Sequence, residues 1–249
     1  MKVLLIGGSG MVGTFITPYL AKRHELRVLD MVPPKHADLV DFVQGSIADP
    51  DDVARALDGM DTFVNLVMRS PQGGSVTDQD LTIIKNNYEV NTLGLHILLW
   101  TAQGMGIKQG VSTSTMSVHY RERSWYPGEE SVPLDSPSAY GLTKGLGEQI
   151  CAYFARWFDM RIIALRITGP RTREAYLAER RNPIHEGLYV TDEEDLARAY
   201  LAAIDVVQTG HARFDAVWVA GDEREETHNL TKARTLLGWM PESQRYLEE

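Results

Sequence analysis

The chain has 249 residues, 43% of them hydrophobic and 24% charged, the make-up of a globular protein with room for one large α/β core. Its 34 acidic residues against 25 basic ones leave a net charge of −9, which argues against nucleic acid or an anionic membrane as partner, since phosphate surfaces call for clustered Lys and Arg. Cys151 is the sole cysteine, so there is no disulfide framework and a reducing, cytoplasmic setting is expected; no apolar run approaches the ~18 residues of a membrane span.

Short apolar runs alternate with amphipathic stretches from the first residue onward. Strands are predicted at 2–6, 26–30, 62–67, 110–114, 161–167 and 214–221. They are near-continuously apolar, the pattern of strands covered on both faces. Helices are predicted at about 11–23, 50–58, 81–103, 138–158 and 192–207. This alternation predicts an α/β protein with a doubly wound parallel sheet. One domain over 1–249 is expected, with a small C-terminal substrate-binding portion from about 168–191 and 222–249.

The first strand runs into "GGSGMVG", which spaces Gly7, Gly10 and Gly13 as G-x-x-G-x-x-G at the start of a helix. In a dinucleotide site one glycine makes the tight turn, one lets a pyrophosphate approach the backbone, and one lets helix and strand pack closely. The pyrophosphate then rests on free N–H groups at the helix start, here around Met11 and Val12. A P-loop would need Lys where Thr14 stands, and Met11 breaks a G-x-S-x-G elbow. Asp30 ends the second strand, where a carboxylate accepts ribose hydroxyls and repels a 2′-phosphate, selecting NAD over NADP. Lys35 and His36 follow and soften that preference.

Near the middle, "SPSAYGLTKGLGEQI" sets Tyr140 and Lys144 four apart, on one face of a helix. Glycine turn, acidic strand end and Tyr-x-x-x-Lys together resemble the short-chain dehydrogenase/reductase superfamily. The closer resemblance is to its extended branch, the NAD-dependent epimerase/dehydratase proteins, all built on a Rossmann fold. "QGSIADPDDVARALDGMDTFVNLV" (44–67), "NTLGLHILLWTA" (91–102), "SAYGLTKGLGE" (138–148) and "LLGWMPE" (236–242) carry it along most of the chain.

The resemblance implies that Ser46, Ile47, Leu66 and Val67 line an NAD site. Ser46 stands where the family has an adenine-contacting Asp. In "VSTSTMSVHY" (111–120) it implies Thr115 as the hydroxyl that binds the reacting oxygen, with Ser114 the competitor under a one-residue shift and Ser117 two residues on. Tyr140 is implied as acid/base, its phenolate favoured by the Lys144 ammonium, which also binds nicotinamide-ribose hydroxyls. Asn91 is implied to position Lys144 through backbone or water, against an ordinary capping or surface role on its helix.

The expected activity is a simple NAD-dependent dehydrogenase acting on a small free sugar or sugar acid, most similar to uronate dehydrogenases. Met116 and Ser117 replace the acidic pair of the dehydratases, and only about 20 residues separate Pro170 from the next helix. Epimerisation and non-catalytic NAD sensing on the same fold remain alternatives. Arg171 and Arg173 are candidates for a substrate carboxylate, set against a plain solvated helix face; His119 is a further substrate candidate. The family's usual carboxylate arginine falls near Ile184 or His185. No metal is expected, because the histidines show no ligand spacing. The resemblance implies that the helices at 81–103 and 138–158 pair across a two-fold axis, so the stripe Leu142, Leu146, Ile150, Tyr153 and Trp157 reads as the face of a homodimer, against core packing alone. Thr191 with Glu194 reads as a capping box, Asn229 as an N-cap and Gly238 as a helix stop.

Overall fold

The structure, a computed structural model, describes residues 1–69, 79–120, 123–181, 189–210 and 213–247. Seven parallel strands run β1 (Lys2–Ile6), β2 (Glu25–Asp30), β3 (Val40–Gln44), β4 (Thr62–Asn65), β5 (Gln109–Thr115), β6 (Arg161–Ile167) and, after two short ones, β9 (Phe214–Val219). They lie side by side in the order β3-β2-β1-β4-β5-β6-β9. The chain builds outward from β1 to β3 and then crosses back to β4 on the other flank of β1. That reversal opens a crevice over the carboxyl ends of β1 and β4.

Strand β1 shows why the sheet is covered twice. Its side chains alternate, so Val3 and Leu5 enter one apolar layer while Leu4 and Ile6 enter the other. The first layer contains residues of α1 (Met11–Leu20) and α7 (Glu193–Thr209). The second draws on α2 (Pro50–Leu57), α4 (Leu95–Gly104) and α5 (Ala139–Trp157). Between β6 and α7 lie a two-strand parallel pair, β7 (Pro170–Arg171) with β8 (Thr191–Asp192), and α6 (Arg173–Arg181).

Three local expectations are corrected. Strand β3 is an addition to the predicted set: at the sheet edge it is only partly buried, and Asp41 and Gln44 interrupt the apolar run that its neighbours have. The stretch predicted as one helix over 81–103 is α3 (Leu81–Tyr88), a wide π turn over Glu89–Gly94, then α4. Helix α7 is capped by Asp192, whose carboxylate accepts the Glu194 N–H at 2.9 Å, rather than by Thr191. The Thr191 hydroxyl is buried beside Thr168 in the β7–β8 pair. Asn229 does accept the Thr231 N–H, and Gly238 closes the last turn with φ of 61°.

Candidate active site

The glycine turn is tight because side chains have no room in it. Gly7 has φ of 79°, and a Cβ on it would lie 2.9 Å from the Val67 side chain. A Cβ on Gly13 would lie 2.2 Å from the Gly8 carbonyl oxygen, so α1 can press against the turn only with glycine there. Gly10 begins α1 with no side-chain cap and no acidic residue in the first turn. The first N–H groups of the helix are thus left for an outside acceptor.

Above the turn lies a cleft of about 470 Å³. It is lined by Gly7, Gly10, Met11 and Val12 from the turn, Asp30 at the end of β2, Ser46 and Ile47 after β3, and Leu66 and Val67 after β4. Gly13 sits beneath it. Met31, Val32, Met68, Arg69 and Val90 line it too and were not anticipated. Asp30 accepts the Ser9 and Val32 N–H groups at 3.0 and 3.3 Å, which holds its carboxylate at the cleft edge with lone pairs to spare. Ser46 turns its hydroxyl toward the Ala48 N–H, and its own N–H binds Asp52, whose carboxyl that bond and Arg55 hold below the usual range.

Thr115 is the last residue of β5. Its Oγ accepts the Ser117 N–H at 3.1 Å, which leaves the hydroxyl hydrogen available to donate. Ser114, its competitor, is buried and donates to the Glu148 carboxylate, which ties it to the interior. Ser138 caps α5 by accepting the Gly141 N–H at 3.1 Å. A Cβ on Gly141 would fall 2.0 Å from the Ser117 carbonyl oxygen, so only glycine lets the first turn of α5 press onto the segment leaving β5. This brings Tyr140 and Lys144 to the same end of the sheet as Thr115 and Ser117. The Tyr140 hydroxyl lies 3.9 Å from the sulfur of Met68, a residue of the cleft wall.

Lys144 is 6% exposed, and its side chain has no hydrogen bond or ion pair with the other described residues. Burial pushes its ammonium down to about 8, opposed by Cys151 and Glu148. Asn91, 3% exposed within the π turn, does not reach Lys144. Its amide accepts the Arg69 N–H at 3.1 Å and donates to the Arg69 carbonyl at 3.2 Å, and donates to the hydroxyl of Thr143, next to Lys144, at 3.0 Å.

Beneath this set runs a buried network that the sequence reading overlooked. Arg166 of β6 grips Glu148 of α5 with Nε at 2.9 Å and Nη2 at 2.7 Å, and donates to the Glu129 carbonyl at 3.2 Å. It also lies over the Trp218 ring, 4.9 Å from its centroid. The signals were there: Arg166 is a charge inside the apolar run "RIIALRI", and Glu148 stands one turn after Lys144.

The structure moves three substrate candidates elsewhere. His119 is fully buried, edge-on to Trp218, with Nδ1 2.6 Å from the Pro133 carbonyl; burial pushes its pKa down to about 4. Arg173 grips Asp192 at 2.6 and 3.0 Å and Glu194 at 2.7 Å, and these carboxylates raise its pKa. Arg171 pairs with Glu179 at 2.8 Å. Both arginines already hold carboxylates of the protein itself, a consequence of α6 packing beside β8. Ile184 and His185 lie outside the described residues. Among the described residues no three His, Cys, Asp or Glu side chains gather as a metal would require.

Residues 3–220 match the model of the NAD dependent epimerase/dehydratase family. A "3 beta-hydroxysteroid dehydrogenase/Delta 5-->4-isomerase" of Mycobacterium tuberculosis is 34% identical over 138 residues, which is 53% of this chain and 36% of that protein. A UDP-glucose 4-epimerase of Lactobacillus helveticus is 30% identical over 171 residues, 67% of this chain and 51% of that one. The chain thus spans about a third to a half of the length of these relatives. Among solved structures, a mutated uronate dehydrogenase superposes with a TM-score of 0.77 at 24% identity, covering 99% of this chain and 84% of that one. UDP-glucose 4-epimerase from Brucella ovis, in complex with NAD, gives 0.80 at 17% identity, covering 97% and 93%. At such identities these two structures bear on the fold.

Proposed function

The chain belongs to the NAD-dependent epimerase/dehydratase family, and on that premise we propose that it is an NAD-dependent oxidoreductase acting on a hydroxyl or carbonyl of a small sugar or sugar acid. The observation that carries this reading is the contact at Gly141. It presses the first turn of α5 onto the segment leaving β5 and leaves the Tyr140 phenol 3.9 Å from the sulfur of Met68, a residue of the cleft wall.

The chain's residues fit the cofactor. Gly7, Gly10 and the start of α1 would hold the pyrophosphate, because the first turn of the helix has neither a side-chain cap nor an acidic residue to occupy its free N–H groups. Asp30 would accept the adenosine ribose hydroxyls, and Ser46, Ile47, Leu66 and Val67 would face the adenosine half. When bound, NAD supplies the hydride acceptor.

The remaining work belongs to side chains. Thr115 donates its free hydroxyl hydrogen to the substrate oxygen and holds it in line. Tyr140 takes the proton from that oxygen as the carbon is oxidised. Free tyrosine, with a pKa near 10, is a poor base at neutral pH, and the nearby Lys144 ammonium favours its phenolate. Lys144 would also hold the nicotinamide-ribose hydroxyls of the bound cofactor. Asn91 acts by fixing the main chain at residue 69 and the α5 turn through Thr143. Ser117 lies beside Thr115 and would meet the substrate.

Following NADH absorbance while offering aldoses, hexuronates and hydroxysteroids tests the assignment. NADH is expected with a sugar or sugar acid. Tight NAD binding with no NADH from any of them would favour a non-catalytic sensor, and isomerised sugar without net NADH an epimerase.

The same reading includes a homodimer and a cytoplasmic setting. The second is supported by the lone, buried thiol of Cys151; no helix among the described residues is long and apolar enough to cross a membrane. The first is supported by an apolar face on α5, where Tyr153 is 47% and Trp157 65% exposed, continued by Leu93 and Trp100 on the preceding helical segment. Tyr88, His96, Leu146, Ile150 and Tyr153 together line a shallow groove on that face.

A further inference from the structure

The cleft is apolar along most of its wall, and its two charged lining residues have opposite signs. Asp30 ends β2, on the flank where the adenosine ribose is assigned. Arg69 follows Met68, whose sulfur lies 3.9 Å from the Tyr140 hydroxyl, so its main chain stands at that end of the cleft. Arg69 is exposed, and its guanidinium makes no hydrogen bond or ion pair with the other described residues. Arg166, Arg171 and Arg173 all grip carboxylates of the protein.

The main chain at Arg69 is held with unusual care. Strand β4 ends at Asn65, and beyond Leu66, whose N–H reaches the Ile6 carbonyl, the sheet offers no further partner to this segment. Asn91 replaces that partner, taking both the N–H and the carbonyl of residue 69 from a buried position. It can do so because the π turn, a feature that recurs at functional sites, carries it inward. A floppy strand end would let the guanidinium wander. A clamped one fixes the main chain from which the side chain enters the cleft, one residue beyond Met68.

We propose that Arg69 binds the anionic group of the substrate, so that the site prefers a sugar acid to the corresponding neutral sugar. This rests on the oxidoreductase reading of the same cleft. A planar guanidinium matches a carboxylate with two parallel N–H···O bonds, a geometry that a hydroxyl of a neutral sugar does not offer. A substrate held so presents its far hydroxyl to Thr115 and Tyr140. The pyrophosphate of a bound cofactor would share the same chemistry.

The test is equilibrium binding of glucuronate and of glucose to the NADH-loaded protein, which cannot oxidise them, with Arg69→Gln beside the natural chain and NAD affinity measured in both. The natural chain is expected to favour the acid, and Arg69→Gln to lose about tenfold of that preference, the scale of one charge-assisted pair. NAD affinity is expected to hold, which also reports that the variant is folded. An equal acid preference in both proteins would overturn the proposal, as would no preference in the natural chain. A tenfold fall in NAD affinity would also overturn it, by assigning the guanidinium to the pyrophosphate. Because the readout is binding, it stands even if Tyr140 proves dispensable for turnover, an outcome that would instead sink the oxidoreductase reading.

Discussion

Lys144 is an ammonium in a place where an ammonium is expensive. It is almost wholly buried in α5, and burial pushes its pKa from 10.5 down to about 8. The unfolded chain therefore holds that proton more tightly than the folded one, so stability rises with pH between about 8 and 10.5. Replacing the lysine by Met removes the buried charge. Without NAD, Lys144→Met is expected to melt above the natural protein at pH 7, by roughly 2–4 °C for each ~1 kcal/mol in a chain of this size. The gap should close toward the top of that range. Thermal scans across pH check it, and a gap independent of pH would show that the charge is not what destabilises. The penalty makes sense for a group kept charged to act on Tyr140, which a packing residue would not need.

At the scale of elements, three pieces must meet: β5 with Thr115, β6, and α5 with Tyr140 and Lys144. Glu148 joins them, taking Arg166 from β6 and Ser114 from β5. Both charges are buried, so breaking the pair by Glu148→Ala strands Arg166 and is expected to cost roughly 3–5 kcal/mol in urea unfolding. Replacing both, as Glu148→Leu with Arg166→Met, should recover most of that loss, since the pair repays its own desolvation only in part. A double variant as unstable as the single changes added together would contradict this. Elements with strong local patterns were readable in advance. β6 was placed at 161–167, where it is found, because it is continuously apolar. β3 escaped because an edge strand needs no such run. The π turn escaped because its bonding differs from that of an α-helix by a shift that leaves no mark on composition.

Over the whole molecule, the doubly wound sheet followed from strand–helix alternation, and the cleft from the glycines beside the switch of strand order. The polar partnerships were harder. Whether Arg171 and Arg173 face a substrate depends on where Glu179, Asp192 and Glu194 come to rest, and spacing along the chain does not carry that. Exposure of the α5 stripe is likewise a property of the assembled protein. If it joins two copies, Tyr153→Glu with Trp157→Glu buries like charges across the interface. Sedimentation is then expected to show a dimer for the natural chain and a monomer for the variant, and a natural chain that is monomeric at micromolar concentration would contradict the dimer.

The central claim is that the Tyr140 phenol moves a proton at the wall of an NAD cleft. The direct measurement is turnover of Tyr140→Phe on the substrate that yields NADH, with NAD affinity measured on the same sample. The account predicts a fall in kcat of about 10²–10⁴-fold, the contribution of a positioned acid/base, with NAD held as tightly as before. Undiminished turnover in that variant would contradict it.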